Sequence, residues 1–356
     1  MAVAPSAYKK AIENLRKFLL FKIMKNGLGT LILACGLLLS VPAYADNPPP
    51  RTQEDDKGIF TFAWENDYFV NQDEGYTNGI RVGWLSSETS MPDWIRYLGS
   101  YAPDPTDHKR IGIALGQSIF TPKDTQRTTY NPNDRPYAGW LYGTVGVIAE
   151  TGRVIDTYQL TLGMVGPSAQ GEQVQNGVHD LIGDQTAKGW RYQLKDEPGA
   201  MLTFDHKWRR FYQRNPFGLS FDASPHVGFN LGNIYTNATA GIMFRLGRNL
   251  PDDYGPPEIQ PSLTGSDFFI PTHELGWYLF GGLDGEAVGR NIFLDGNTFR
   301  HGPCVDKNAF VGNAVLGLAA TYGQARLAYN YAFRTNEFRG EPKMNNFGAV
   351  TLSYRF

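Results

Sequence analysis

The chain has 356 residues and a formal net charge of -2 at pH 7. This balance argues against nucleic acid as a partner, which would favour a strongly basic surface. Glycine (40), phenylalanine (22) and tyrosine (19) are plentiful, although the mean hydropathy is only -0.35. Weak average hydropathy combined with many aromatic residues and glycines is typical of chains that cross a membrane with strands.

The first 45 residues have the pattern of a secretory signal and are excluded from the fold prediction. An apolar run over 28–41, too short to span a bilayer as a helix, leads to a small-residue pattern that ends at Ala45. We predict cleavage after Ala45, with Met24 as an alternative start. Cys35 lies within the apolar run, so a lipoprotein remains a second interpretation.

Residues 46–58 are polar and rich in proline, and they are predicted to form a flexible lead-in. Beyond the signal region the chain keeps one cysteine, Cys304. A single cysteine cannot form an internal disulfide, and nothing near it has the spacing of a metal site.

The remainder, residues 59–356, is predicted to be a transmembrane β-barrel. In the last segment Val350, Leu352, Tyr354 and Phe356 alternate with polar residues, and the chain stops on an aromatic residue, as outer-membrane barrels do. We predict twelve antiparallel strands, an even number as closed single-chain barrels prefer. They lie near 59–69, 77–87, 110–120, 139–150, 153–165, 199–210, 217–229, 234–247, 273–286, 309–322, 324–335 and 346–356. If both termini are periplasmic, the outer loops fall near 70–76, 120–138, 166–198, 230–233, 287–308 and 336–345.

The first segment with chemical character is Glu65-Asn66-Asp67, at the outer end of the first strand. Carboxylate and amide oxygens suit a hard cation such as Ca²⁺. Thr77 opens the second strand and is expected to lie close to Asn66 and Asp67 across the hairpin. The alternative is a solvated strand end without a role.

The third outer loop contains a predicted short amphipathic helix within residues 171–183. Its apolar residues recur at helical spacing: Val174, Val178, Leu181 and Ile182. Gln175 and His179 are four residues apart and therefore share a face. No Gly-x-Ser-x-Gly or His-x-Ser-x-Gly pattern occurs, which disfavours a serine nucleophile. A His179 that activates water beside a cation is the remaining hydrolytic scheme, and a structural histidine is the alternative.

The second outer loop, 120–138, carries Lys123, Arg127 and Arg135. Basic side chains here are candidates for binding the phosphate groups of lipopolysaccharide. An ordinary polar loop is the alternative.

Together these motifs resemble the lipid A 3′-O-deacylase family of the outer membrane. The most specific is Gly-Glu-Gln-Val-Gln-Asn-x-x-His at 171–179, followed by Ile182-Gly183; the weaker ones are Asn66-Asp67, Tyr76-Thr77-x-Gly79 and Asp134-Arg135. The resemblance implies a twelve-stranded barrel with a short helix in an extracellular loop. It also implies a Ca²⁺-dependent esterase that removes the 3′-linked acyloxyacyl group of lipid A. Its partners would be lipopolysaccharide and outer-membrane lipids, with no obligate protein partner.

The resemblance also implies roles for individual residues. His179 matches the family's general base, Gln175 a site glutamine, and Asn66, Asp67 and Thr77 residues that arrange Ca²⁺ and the substrate carbonyl. Arg127 falls near a basic pair that contacts the substrate, but its neighbour here is Thr128.

One departure concerns the metal site. Some family members carry a glutamate six residues after the histidine, where this chain has Gln185. Either Asp184 replaces that carboxylate as a metal ligand beside Asn66 and Asp67, or a helper carboxylate is lost.

Two other functions remain open from the sequence. One is a non-catalytic barrel, porin-like or structural, that keeps the family's shape. The other is a phospholipase-type esterase with the same site and a different lipid.

Overall fold

The computed structural model describes residues 54–67, 75–88, 108–151, 153–183, 185–256, 267–341 and 344–356. The predicted signal region 1–45 and most of the predicted lead-in lie outside the described residues. The long strands of this part of the chain are β1 (Ile59–Asn66), β2 (Gly75–Leu85), β3 (His108–Thr121), β4 (Ala138–Glu150), β5 (Val154–Val165), β6 (Glu197–Trp208), β8 (Ser220–Gly232), β9 (Tyr235–Arg248), β12 (Leu275–Asn291), β13 (Phe310–Tyr322), β14 (Ala325–Arg334) and β15 (Asn345–Arg355). Short strands are β7 (Tyr212–Arg214), β10 (Asp252–Asp253) and β11 (Phe269–Ile270).

The twelve long strands of the described chain form one closed antiparallel sheet. Neighbours follow the order β6-β5-β4-β3-β2-β1-β15-β14-β13-β12-β9-β8, and β8 pairs with β6 to complete the circle. The last strand pairs with the first, with Ile59 opposite Arg355 and Asn66 opposite Gly348. We call the end of the barrel that holds Ile59 and Arg355 the terminal end, and the opposite end the loop end.

The barrel is covered on its outside by apolar side chains. On β3, Ile113 and Leu115 are 50% and 62% exposed, whereas Ser118, on the alternate face, is 1% exposed. The same exposed apolar face recurs around the barrel: Phe60, Val145, Leu162, Leu202, Phe229, Leu279, Leu316, Leu327 and Leu352. This alternation is the pattern of a barrel whose wall contacts lipid. In the described residues, no helix is long and apolar enough to cross a membrane.

All twelve predicted strands are confirmed. The main difference is β12, which continues to Asn291, past its predicted end at 286. The short strands β7, β10 and β11 were not predicted, because two or three residues carry no period.

At the terminal end the connection between β9 and β12 packs into the barrel. Strands β10 and β11 pair with each other, and Asp253 of β10 is fully buried. Its carboxylate binds Arg245 and Arg326, and it accepts a hydrogen bond from the Tyr278 hydroxyl at 2.9 Å. The Arg326 guanidinium also lies 4.5 Å from the ring centroid of Phe269. These contacts fill the terminal end of the barrel.

The last residues of the predicted flexible lead-in pack against the barrel rather than extending freely. Asp55 is 8% exposed, and its carboxylate binds Arg110 at 2.5 Å and Arg355 at 2.7 Å. Because Arg355 belongs to the last strand, this contact ties the start of the barrel to its end.

At the loop end a one-turn helix, α2 (Ile292–Asp295), fills the interior. The ring of Phe293 stacks on Phe120 of β3 with centroids 4.0 Å apart. Both rings belong to a buried cluster that also includes Tyr76 and Phe347. The barrel is therefore filled by side chains at both ends.

Candidate functional site

The hairpin of β1 and β2 places the first group of predicted site residues at the loop end. Asn66 pairs with Asn78, so Thr77 lies across from the position of Asp67. The register of β2 against β3 shifts between Tyr76 and Asn78, which marks Thr77 as the bulged residue. A bulge re-aims a side chain, and the Thr77 hydroxyl lies 2.6 Å from the Thr121 hydroxyl.

These side chains are buried although they lie at the end of the barrel. Asn66 is 8% exposed, Asp67 is 2% exposed and Thr77 is 3% exposed. Asp67 is as buried as a core residue, which distinguishes this hairpin end from a solvated turn. The proximity of Thr77 to the Asn66-Asp67 pair is confirmed.

The predicted helix in the third outer loop is present as α1 (Gly171–Ile182), between β5 and β6. It ends at Gly183, whose φ of 77° is a left-handed conformation and whose N–H donates to the carbonyl of His179. At its start, α1 approaches β4 closely. A Cβ at Gly139 would lie 3.1 Å from the Gly171 nitrogen, so a side chain there would force the start of α1 to move by a few tenths of an ångström.

Helix α1 packs over the ends of β3 and β4. Val174 contacts a buried cluster formed by Ile119, Tyr137, Ala187 and Trp190. Ile119 lies two residues before Thr121, which bonds Thr77. Strand β3 therefore connects the helix to the β1–β2 hairpin, and the predicted site residues of both segments lie at the same end of the barrel.

The side chain of His179 is 6% exposed and has a fixed orientation. Its Nδ1 lies 2.6 Å from the main-chain oxygen of Gln185. A carbonyl oxygen only accepts hydrogen bonds, so Nδ1 carries the proton and donates. In the neutral ring Nε2 then has the lone pair that a general base requires.

The segment after α1 is bound to the helix at three positions. His179 bonds Gln185 as described, and Asn176 bonds both the N–H and the carbonyl of Ala187 at 2.9 and 3.5 Å. Gln175 accepts a hydrogen bond from Trp190 Nε1 at 3.0 Å. These contacts hold the polar face of α1 in one arrangement.

The structure describes two of the three predicted metal ligands, Asn66 and Asp67. Among the described residues there is no group of three or more His, Cys, Asp or Glu that could hold a metal ion. Asp184 lies outside the described residues. Asn66 and Asp67 are adjacent and supply only oxygen donors, the type that Ca²⁺ prefers. The donors that are described therefore fit Ca²⁺ in type.

The three basic residues of loop 120–138 have different environments. Lys123 and Arg127 are exposed, and Arg127 lines a shallow pocket beside Tyr130 and Tyr192 that Arg135 also borders. Arg135 is 2% exposed, and its guanidinium binds Glu337 at 2.5 Å and lies 3.7 Å from Glu341. That Arg135 binds substrate stays a prediction, and the ion pairs with Glu337 and Glu341 give its charge a structural role inside the protein.

Three contributions to the site were missed from the sequence: the indole of Trp190, the main-chain carbonyl of Gln185 and the hydroxyl of Thr121. A main-chain carbonyl leaves no signature in the residue type. Trp190 and Thr121 are each brought to the site by folding, and neither belongs to a local pattern.

A closed barrel with an apolar belt, filled ends and a buried polar site at one end defines a β-barrel protein of the bacterial outer membrane. A family model described as "Outer membrane protein LpxR" matches residues 31–356. The chain therefore belongs to the LpxR family, and the predicted family and location are confirmed.

One solved structure shows the same fold. The chain is similar to LpxR from Salmonella typhimurium, with 19% identity over 84% of this chain and 100% of that chain and a TM-score of 0.68. Weaker likenesses are the β domain of the Bordetella autotransporter BrkA (12% identity, 84% and 97% coverage, TM-score 0.39) and the translocator domain of NalP from Neisseria meningitidis (10%, 92% and 96%, TM-score 0.36). None of the curated proteins compared with the chain matches it.

Proposed function

We propose that this protein is an outer-membrane esterase that removes the 3′-linked acyloxyacyl group of lipid A. Membership of the LpxR family and the motif at 171–179 support this proposal. The observation that carries it is the His179 ring, fixed through Nδ1 with Nε2 left as a base, at the loop end of the barrel. With the loop end outside the cell, this base lies within reach of the acyl chains of the outer leaflet.

The reaction begins with a water molecule next to His179. Nε2 takes a proton from this water as its oxygen attacks the ester carbonyl carbon. The resulting imidazolium returns the proton to the departing sugar oxygen, so the ester becomes a free fatty acid and a hydroxyl. The Nδ1–H bond to Gln185 keeps the ring in the required tautomer throughout.

Asn66 and Asp67, together with Asp184, are the residues that would hold Ca²⁺. A bound Ca²⁺ would supply positive charge for the oxyanion that forms on the carbonyl, a term worth several kcal/mol. Thr77 would orient the substrate carbonyl, and its hydroxyl is positioned by Thr121. Lys123 and Arg127 are exposed on the adjacent loop and would contact phosphate groups of the sugar.

The test is mass spectrometry of lipid A from cells with and without the protein, combined with an assay of the purified barrel in Ca²⁺ or a chelator. Loss of one acyloxyacyl unit, absent with His179→Ala and with chelator, is the expected result. The exposed His301 provides a matched control, since His301→Ala removes the same ring at a position outside α1. Unchanged lipid A from cells with a correctly folded barrel would reject the proposal.

The filled interior bears on the alternative of a porin-like barrel. Twelve strands leave a narrow interior, and here both ends of it are occupied by buried side chains. These observations favour a site at the rim over a channel. Cleavage of phospholipid vesicles in place of lipid A would instead identify a phospholipase-type esterase.

A further inference from the structure

Gln175 lies one helical turn before His179 on the same face of α1 and is 3% exposed. Its Oε1 accepts a hydrogen bond from Trp190 Nε1 at 3.0 Å. An indole N–H is only a donor, so this contact fixes which end of the amide is oxygen. The Nε2 amide group therefore points away from Trp190.

The Nε2 atom of Gln175 is buried and has no hydrogen-bond partner among the described residues. A buried donor without a partner costs roughly 1–3 kcal/mol, which the fold retains only where something offsets it. A ligand oxygen that accepts from this group would offset the cost. The group is thus a preformed donor at the candidate site.

The spacing of Gln175 and His179 on α1 would allow both side chains to act on one ester. Residues four apart on a helix are separated by slightly more than one turn, roughly 6 Å along the axis. An ester that binds there would place its carbonyl carbon near a water held by His179 and its carbonyl oxygen near Gln175. One side chain would then remove a proton while the other donates a hydrogen bond to the developing oxyanion.

Trp190 determines whether the donor is available. It is 1% exposed and packs against Tyr137 with ring centroids 4.9 Å apart, so the indole has little freedom. Without its N–H the Gln175 amide could rotate and present oxygen, which would repel an oxyanion. Trp190 does not need to touch substrate to have this effect.

We propose that the Gln175 amide nitrogen donates to the ester oxyanion and that Trp190 is a positioning residue that holds this amide in the donating orientation. The inference rests on the proposed esterase function, and it adds a hydrogen-bond donor to the positive charge that Ca²⁺ would supply to the oxyanion. The donor acts in the transition state, so its loss should lower kcat more than it raises KM.

The experiment uses the full-length refolded barrel with lipid A as substrate and measures kcat and KM separately. Gln175→Glu keeps the acceptor for Trp190 but removes the donor, and we expect kcat to fall by about 10²–10³-fold. Gln173→Glu is the matched control, because it makes the same change at an exposed position of the same helix. Trp190→Phe should lower kcat by about ten- to a hundredfold with KM nearly unchanged.

The double variant separates positioning from stability. If Trp190 acts through Gln175, adding Trp190→Phe to Gln175→Glu lowers kcat little further. Full activity of Gln175→Glu, or multiplication of the two losses, would overturn the inference while leaving the esterase proposal intact. A wild-type barrel that is folded but inactive on lipid A would reject the proposed function, and this inference with it.

Discussion

The imidazole Nδ1 of His179 donates to the main-chain oxygen of Gln185 at 2.6 Å, across the C-terminal end of α1. The partner is a carbonyl that every residue type supplies at this position, and the Gln185 side chain itself is exposed. The replacement of a family glutamate by Gln185 therefore leaves the orientation of the histidine intact.

This relationship predicts that the identity of residue 185 matters little for the general base. Gln185→Ala should keep lipid A deacylation within about threefold, whereas His179→Ala should lower it by roughly 10²–10⁴-fold. The measurement is the initial rate on lipid A for both variants, with heat-modifiable migration as the check of folding. A loss in Gln185→Ala as large as in His179→Ala would show that the side chain takes part.

The two arginines of loop 120–138 should respond differently to substitution. Arg127→Ala should raise KM for lipid A without affecting folding, because the side chain is exposed at a pocket. Arg135→Ala removes the cation closest to buried Glu337 and leaves it Arg334 at 3.7 Å, which should cost up to about 3 kcal/mol of stability. Steady-state kinetics and denaturant unfolding of the two variants distinguish these outcomes. If both variants raised KM equally and neither lost stability, Arg135 would be a substrate ligand as predicted from the sequence.

A third prediction concerns the filled terminal end. Asp253→Ala leaves Arg245 and Arg326 without their shared carboxylate, so the barrel should lose about 3–5 kcal/mol of stability. Exposed Asp306 provides the control substitution, which should cost less than about 0.5 kcal/mol. Urea unfolding in lipid vesicles measures both.

In planar bilayers we expect the wild-type protein to conduct no ions, and a stable open pore would contradict a filled interior.

The sequence predicted the wall of the barrel and the position of the helix because both depend on local period. Alternation marks each strand, and the apolar spacing from Val174 onward marks α1. Contacts between distant residues left no such signal. Arg135 meets Glu337 across 202 positions because the closed sheet brings two distant loops together, and Gln175 meets Trp190 across 15 because the segment after α1 packs back on the helix. The sequence therefore indicated the candidate site residues at 66, 67, 77 and 179. It did not indicate the side chains and the main-chain carbonyl that orient the site residues.

The last prediction follows from the carboxylates around Arg135. Burial raises the pKa of Glu341 to about 7; Arg135 opposes this increase, and the neighbouring Glu337 carboxylate adds to it. Glu337 binds the guanidinium more closely, at 2.5 Å against 3.7 Å, and its own pKa is lowered by Arg135 and Arg334 despite burial.

A folded-state pKa above the ordinary 4.5 means that the native protein holds a proton that the unfolded chain has released. The stabilising effect of protonated Glu341 is therefore complete below about pH 4.5 and is lost as the pH rises to about 7. Glu341→Gln keeps the neutral form at every pH, so its unfolding temperature should exceed that of the wild type at pH 8 and match it at pH 4. Glu274→Gln, at an exposed position, is the control for a changed net charge. Thermal unfolding across pH 4–8 measures the difference, and a parallel offset at all pH values would show that the gain has another cause.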